Sequence, residues 1–163
     1  MKGLIDMPAR FSLYKVQGQS MRPALGQGDY VLVRACGTSA GWPQRGHIVV
    51  VTVAEGSHLK RIVGLPGERL TFTEGTLLID GDRLSEPYLR GLPSYLGLEN
   101  SEYSLGVDAY FVMGDNRGRS TDSRHFGPVS RSNIEGEMVC RVWPPLRWGR
   151  HPGRLSQYGC RID

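Results

Sequence analysis

The chain has 163 residues, the length of one domain, and its 39% hydrophobic and 22% charged residues are ordinary for a folded protein. Its 22 glycines and 10 prolines argue against a helical bundle, yet they fall short of the composition of a disordered chain. The net charge of +4 permits contact with anionic lipid or nucleic acid without demanding either, and no apolar stretch approaches the roughly 20 residues that cross a bilayer.

Short apolar runs separated by turn residues follow one another along the chain, a pattern that predicts β-strands. The predicted strands lie over residues 11–17, 30–34, 48–53, 59–65, 70–73, 76–80, 83–85, 109–113 and 137–143. Gly81-Asp82 is predicted to connect two of them as a tight hairpin, and one short helical turn is expected near residues 130–134. This succession is typical of a mostly antiparallel β-sheet or barrel with little helix.

The chain is predicted to form a single β-rich domain over residues 1–143, with residues 70–108 as a small inserted flap or hairpin region. Residues 144–163 read as a basic tail in which arginines alternate with aromatic side chains. The three cysteines, Cys36, Cys140 and Cys160, lack CxxC spacing and fit neither a disulfide framework nor a zinc site. No metal or other cofactor is expected.

The first chemically suggestive segment is Gly18-Gln19-Ser20-Met21-Arg22-Pro23-Ala24-Leu25. Its serine follows directly after a predicted strand, in a turn flanked by glycine and interrupted by Pro23. Such a turn can lift the hydroxyl out of the sheet and leave neighbouring backbone N–H groups free, which suits a nucleophile beside an oxyanion hole.

A nucleophilic serine needs a base, and the sequence offers two kinds. The chain has 17 arginines but three lysines, Lys2, Lys15 and Lys60, and the last lies in the apolar run 59–65. A buried lysine loses proton affinity and can act as a base near neutral pH, whereas arginine stays protonated. The four histidines, His47, His58, His125 and His151, show no triad signature, but the sequence leaves a histidine base open.

A third segment, Gly114-Asp115-Asn116-Arg117 through Ser120-Thr121-Asp122-Ser123-Arg124, is dense in hydrogen-bonding side chains and follows a predicted strand. Together with the serine segment, Gly28-Asp29-Tyr30-Val31-Leu32-Val33 and Lys60-Arg61-Ile62-Val63-Gly64-Leu65-Pro66-Gly67-Glu68, it resembles the type I signal peptidases, which are serine/lysine-dyad proteases. The four stretches occur in the family's order between about residues 16 and 143.

The resemblance implies a function and a role for each matching residue. The chain would be a serine endopeptidase that cleaves signal peptides from exported preproteins after small residues of the Ala-x-Ala type. Ser20 would be the nucleophile, with its backbone N–H in the oxyanion hole, Lys60 the general base, and Ser120 the residue that orients Lys60. Structural ion partners would be Arg61, Asp115, Asp122 and Arg124. The substrate groove would be lined by Val16, Gln17, Met21, Leu25, His58 and Leu59.

Three features depart from the family pattern. Gly18 stands where some members carry a serine that completes the oxyanion hole, and Gly118-Arg119 replaces the usual Asp-Asn. The third is the lack of the usual membrane-anchoring helix. The family implies a membrane-associated protein with an extracytoplasmic active site, but a soluble cytoplasmic location stays open because the chain shows neither a transmembrane helix nor a signal peptide.

Two other functions stay open. One is a soluble maturation peptidase of the same family that processes one dedicated precursor, such as that of nickel superoxide dismutase. The other is a catalytically vestigial binder of a membrane or nucleic-acid surface. For the peptidase, the expected partner is an extended polypeptide, with membrane contact through Trp143, Trp148 and the Arg-rich tail and no nucleic acid.

Overall fold

The computed structural model describes residues 11–35, 43–94 and 100–143. Eleven strands lie in these ranges: β1 (Phe11–Lys15), β2 (Tyr30–Ala35), β3 (Ile48–Val53), β4 (Gly56–Gly64), β5 (Arg69–Thr73), β6 (Thr76–Ile79), β7 (Asp82–Arg83), β8 (Ser101–Ser104), β9 (Ala109–Met113), β10 (Val129–Ser130) and β11 (Ile134–Trp143). One α-helical turn, α1 (Ser123–Phe126), and three 3₁₀ turns, Pro87–Leu89, Arg117–Arg119 and Arg131–Asn133, complete them.

The strands form two antiparallel sheets. The larger one has the order β1-β2-β11-β3-β4-β9-β10, and the smaller one has the order β7-β6-β5-β8. β3 and β4 lie in the middle of the large sheet, and their register places Val49 opposite Lys60. The prediction of a mostly antiparallel β fold is confirmed as these two sheets, and the large one is open between its edge strands β1 and β10.

Hydrophobic side chains form three clusters that fix the sheets and the turns between them. One cluster packs β2 and β3 against the turn after β1, whose Met21 and Leu25 are buried. A second lies between the small sheet and β9, around Phe72 and Phe111. The third covers the other face of β3 and β4. β3 is the valine-rich run 48–53, and β-branched side chains favour such a buried, pleated strand.

The structure corrects several details of the predicted elements. The β6–β7 hairpin turns at Asp80-Gly81, one residue earlier than expected, because both residues adopt the positive φ angles that a type I′ turn requires. β8, β10, α1 and two of the 3₁₀ turns were not predicted. The strands of the small sheet fall within residues 69–104, but a separate flap over 70–108 stays a prediction.

The remaining features are the cysteines, the C-terminal tail and the length of the helices. Cys140 is disulfide-bonded, which corrects the expectation that the cysteines do not fit a disulfide framework, since linear spacing does not show which cysteines meet in space. The basic tail, residues 144–163, lies outside the described residues, as do Cys36 and Cys160. Within the ranges that the structure describes, no helix has the length and apolar character needed to cross a bilayer.

Candidate active site

Ser20 lies in a compact turn that the hydrophobic core holds in place. After β1, Gly18 takes a φ of +80°, which turns the chain away from the strand direction. The Leu25 N–H donates to the Met21 carbonyl at 2.9 Å, and both side chains are buried. Ser20 itself is partly exposed, and its N–H has no backbone acceptor among the described residues. The turn therefore presents the serine hydroxyl at the edge of the core.

Lys60 extends from the middle of β4 towards this serine. Its side-chain amine donates to Ser20 Oγ at 3.2 Å and to the Leu59 carbonyl at 3.1 Å. Lys60 is 2% exposed, and this burial lowers the pKa of its amine, while the nearby charge of Asp122 opposes the shift. The neutral amine is therefore available at lower pH than in an exposed lysine.

The histidines do not take this position. His58 lies on β4 two residues before Lys60, and burial together with the Lys60 charge lowers its pKa. His47 contacts Glu137 at 3.0 Å, and His125 is largely exposed beside Asp122. His151 lies outside the described residues. Among the described side chains, the hydrogen-bond partner of Ser20 Oγ is the lysine amine.

The segment after β9 packs directly on the serine turn. The Asn116 N–H donates to the Ser20 carbonyl at 2.9 Å, and the Asn116 side chain donates to the Gln19 carbonyl at 3.1 Å. Gly114 has no room for a side chain, because a Cβ there would lie 2.5 Å from the Ser20 carbonyl oxygen and 2.2 Å from Ser120 Oγ. The backbone of residues 114–120, here named the covering segment, therefore lies on the serine turn at close range.

Ser120 does not make its expected hydrogen bond. Lys60 donates to Ser20 and Leu59, whereas Ser120 Oγ is buried and has no hydrogen-bond partner in the part of the chain that the structure describes. It is still close enough to Asp122 to help lower the pKa of that carboxyl group. Ser120 Oγ packs closely against Gly114. Its role as the residue that orients Lys60 stays a proposal.

Two buried ion pairs brace the site. Arg61, next to Lys60 on β4, donates to both carboxylate oxygens of Asp115 at 2.8 and 2.6 Å. Arg124 donates likewise to Asp122 at 2.8 and 2.9 Å. Burial would raise the pKa of Asp122, but hydrogen bonds from Arg124 and Gly114 and the Arg124 charge outweigh it, so the pKa lies below its usual value. Asp122 also accepts from the Gly114 N–H at 2.9 Å, so it holds both backbone and arginine in place, while Asp115 holds the Arg61 guanidinium.

A cavity of about 300 Å³ opens beside Ser20 and Lys60. Five of the six predicted groove residues line it, and Leu25 does not, because it is buried in the core. The full lining is Tyr14, Lys15, Val16, Gln17, Ser20, Met21, Val50, Ser57, His58, Leu59 and Lys60. The described residues include no group of three or more His, Cys, Asp or Glu side chains that could hold a metal ion.

Comparison with known proteins identifies the family. The model of the family described as signal peptidase, peptidase S26, matches residues 4–143. The chain belongs to this family. It is 35% identical to signal peptidase I of Leptolyngbya laminosa over 82% of this chain and 70% of that protein. It is equally similar, at 35%, to signal peptidase I of Bacillus caldolyticus, over 82% of this chain and 80% of that one.

A solved structure agrees with the family assignment. The crystal structure of a signal peptidase I from Enterococcus faecalis V583 superposes with a TM-score of 0.50 and 35% sequence identity. The match covers 61% of this chain and 98% of that one. The prediction of a signal peptidase resemblance is therefore confirmed, and the chain is a hydrolase of a serine peptidase family. This family is membrane-associated.

Polar residues to which sequence reasoning assigned no role also lie in buried or half-buried positions near the site. Glu86 and Tyr88, from the predicted flap region and outside any predicted strand, contact Arg117 and Arg61 respectively. Arg117 belongs to the motif that begins at Gly114, but its ion-pair partner Glu86 lies 31 positions earlier in the chain. The one sequence signal was an acidic residue and an aromatic residue flanking Pro87 in a polar stretch, which does not specify a contact.

Proposed function

We propose that this peptidase cleaves signal peptides from exported preproteins after small residues, with Ser20 as nucleophile and Lys60 as general base. The observation that carries the proposal is the buried Lys60 amine, 3.2 Å from Ser20 Oγ. A base must lie within hydrogen-bond reach of the proton that it removes, and this distance meets that requirement.

The acyl-transfer steps follow from these two groups. The neutral Lys60 amine takes the Ser20 hydroxyl proton while Oγ attacks the scissile carbonyl, giving a tetrahedral oxyanion and a lysine ammonium. The ammonium then gives its proton to the leaving amine as the C–N bond breaks and an acyl-enzyme forms. The same amine then takes a proton from a water molecule as that water attacks the ester, and the resulting ammonium returns the proton to Ser20 Oγ as the C–O bond breaks.

The oxyanion would be held by backbone donors. The Ser20 N–H lacks a backbone acceptor among the described residues and lies in a turn fixed by the packing of Met21 and the contact with Asn116. Donors that are already oriented stabilise the developing charge without reorganisation. Gly18 brings no hydroxyl to this site, so we assign the oxyanion hole to main-chain groups.

The cavity supports a preference for small side chains. Its volume is about 300 Å³, at the lower end of small-molecule pockets. Val16, Met21 and Leu59 supply apolar walls close to the serine. A substrate segment lying along this groove in an extended conformation would fit alanine-sized side chains beside the scissile bond, in the Ala-x-Ala pattern.

Membrane contact is a separate part of the proposal. We assign it to Trp143, Trp148 and the Arg-rich tail, because aromatic and basic side chains favour the interface of an anionic bilayer. Trp143 ends β11, and Trp148 and the tail lie outside the described residues. Deleting residues 147–163 is expected to reduce co-sedimentation with anionic liposomes, and unchanged co-sedimentation would contradict the assignment.

The dyad is tested by cleavage of a detergent-solubilised preprotein and of an Ala-x-Ala fluorogenic peptide. Ser20→Ala and Lys60→Arg are expected to abolish cleavage, since arginine keeps the charge but cannot accept a proton at the pH of the assay. Lys2→Arg is the matched control, because this lysine lies outside the family match over residues 4–143, and it should retain full activity. Activity retained in Lys60→Arg would refute the lysine base.

The same assay separates the two peptidase hypotheses. Cleavage of several unrelated preproteins is the expected result for a general signal peptidase. Cleavage confined to one precursor would instead favour a dedicated maturation peptidase. Lack of cleavage of every substrate by the wild-type chain would favour the catalytically vestigial surface binder.

A further inference from the structure

A buried ion pair joins the small-sheet region to the segment that covers the active site. Arg117 donates to the two carboxylate oxygens of Glu86 at 2.5 and 3.2 Å, and each side chain is 2% exposed. Glu86 immediately precedes the 3₁₀ turn Pro87–Leu89, and Arg117 begins the 3₁₀ turn after β9. Arg117 also donates to the Ser94 carbonyl, so this buried guanidinium ties residues 86–94 to the segment after β9.

Contacts from this pair reach the segment after β9 and the side chain of Arg61, the neighbour of Lys60 on β4. The Arg117 Nε donates to the Gly114 carbonyl at 3.0 Å. The Tyr88 hydroxyl donates to Glu86 at 2.5 Å, and its ring lies 4.1 Å from the Arg61 guanidinium carbon. Burial and the Glu86 charge raise the Tyr88 pKa, so this hydroxyl remains a donor at any working pH.

Gly114 connects the hydrogen bond from Arg117 to the Ser20–Lys60 dyad. The close approach of Gly114 to Ser120 Oγ and to the Ser20 carbonyl leaves no free space between the covering segment and the serine turn. Asn116 adds the hydrogen bond to the Ser20 carbonyl. A displacement of Arg117 is therefore passed through Gly114 and Asn116 to the serine turn, which holds the hydroxyl that the Lys60 amine contacts.

We infer that Glu86, Tyr88 and Arg117 form a clamp that positions the covering segment and keeps the Lys60 amine dry. The three act through Gly114 and Arg61 and do not touch the reacting atoms, so they are positioning residues. The inference rests on the proposed role of Lys60 as the base. Removing one partner of a buried pair leaves the other charge uncompensated, which loosens the surrounding segment.

The charges around Lys60 make the direction in which its pKa shifts in a clamp variant informative. Asp122 with Arg124 and Asp115 with Arg61 are the nearby ion pairs, and His58, Tyr14 and Lys15 face the same cavity. Replacing Glu86 by glutamine removes a negative charge, and by electrostatics alone that change would lower the Lys60 pKa. Entry of water would raise it towards 10.5. The clamp therefore predicts the opposite direction from a simple charge effect.

The test is the pH dependence of kcat/KM for the wild type and three variants. The acid limb of the profile, where kcat/KM rises with pH, reports the deprotonation of Lys60 and is called the Lys60 limb. Glu86→Gln is expected to move this limb upward by about one pH unit, which lowers kcat/KM about tenfold on the acid side. The profiles should converge at high pH. Tyr88→Phe, which keeps the ring on Arg61, should shift the limb upward by less. Glu102→Gln is the matched control, because its pair with Arg69 is exposed, and its profile should equal that of the wild type.

Several results would overturn the clamp. In Glu86→Gln these are a limb that moves downward, a limb that stays in place, or a uniform loss of activity at every pH. If Glu86→Gln does not fold, Tyr88→Phe decides, and an unshifted limb there overturns the inference. Failure of the proposed function would be recognised separately, because the wild type and Glu102→Gln would then show no limb attributable to Lys60.

Discussion

Replacing Gly114 by alanine tests how tightly the covering segment packs on the serine turn. The added Cβ would lie 2.2 Å from Ser120 Oγ and 2.5 Å from the Ser20 carbonyl oxygen. Contacts between heavy atoms are favourable at about 3.5–4.0 Å, so one of the two segments must move by about 1 Å. The backbone of Ser20 is on one side of the contact, and rotation of a side chain cannot relieve it. The displacement is therefore expected to change the position of the Ser20 backbone relative to the segment that carries Gly114.

The expected loss has two components. A displacement of about 1 Å in an active site can cost about 100-fold in rate, and overpacking a core commonly costs about 1–3 kcal/mol of stability. We therefore expect Gly114→Ala to lower kcat/KM by about two orders of magnitude, together with a lower thermal midpoint. Peptide cleavage and thermal unfolding, measured on the same preparation, give both quantities.

Gly106→Ala is the matched control for this substitution. A Cβ at Gly106 would meet no atom within 4 Å, so this variant should keep wild-type activity and stability. Wild-type kcat/KM and an unchanged thermal midpoint in Gly114→Ala would refute the close packing of the covering segment against Ser20.

Two further predictions concern charge and stability. Asp115→Asn leaves Arg61 buried beside a neutral amide and should lower the free energy of unfolding by about 3–5 kcal/mol in urea titrations, whereas Glu102→Gln at an exposed pair should change it by less than about 1 kcal/mol. A wild-type urea midpoint in Asp115→Asn would contradict this. Lys60→Met should stabilise the protein at neutral pH, because the native state lowers the lysine pKa and the unfolded chain binds the proton more tightly. The gain should shrink as pH rises towards 10.5, and a gain that grows with pH would contradict the assignment.

The strands and motif order were open to prediction because they depend on local pattern. The bounds predicted for β3 and β9 match the structure, since each is a run of β-branched or aromatic residues ended by turn residues or glycine. By contrast, β8 has the sequence Ser-Glu-Tyr-Ser, and it is a strand because it pairs with β5. α1 is four residues long, too short for a helical period, and depends on a capping box at Asp122.

The site was predictable to the extent that each residue acts within its own motif. Lys60 was singled out because its strand is apolar, and the structure buries it beside Ser20. Leu25 was assigned to the groove, but the turn after β1 directs it into the core instead. The Glu86–Arg117 pair joins positions 31 residues apart, and no local pattern specifies such a contact.

The proton affinity of Lys60 tests the central claim most directly. The chain has three lysines, so labelling lysine with ¹³C at the ε position gives three resonances to follow through a pH titration. One resonance, absent from Lys60→Arg, is expected to titrate clearly below 10.5 and to coincide with the limb of kcat/KM. Titration of all three resonances near 10.4, the value of an unperturbed lysine, would contradict a buried lysine base.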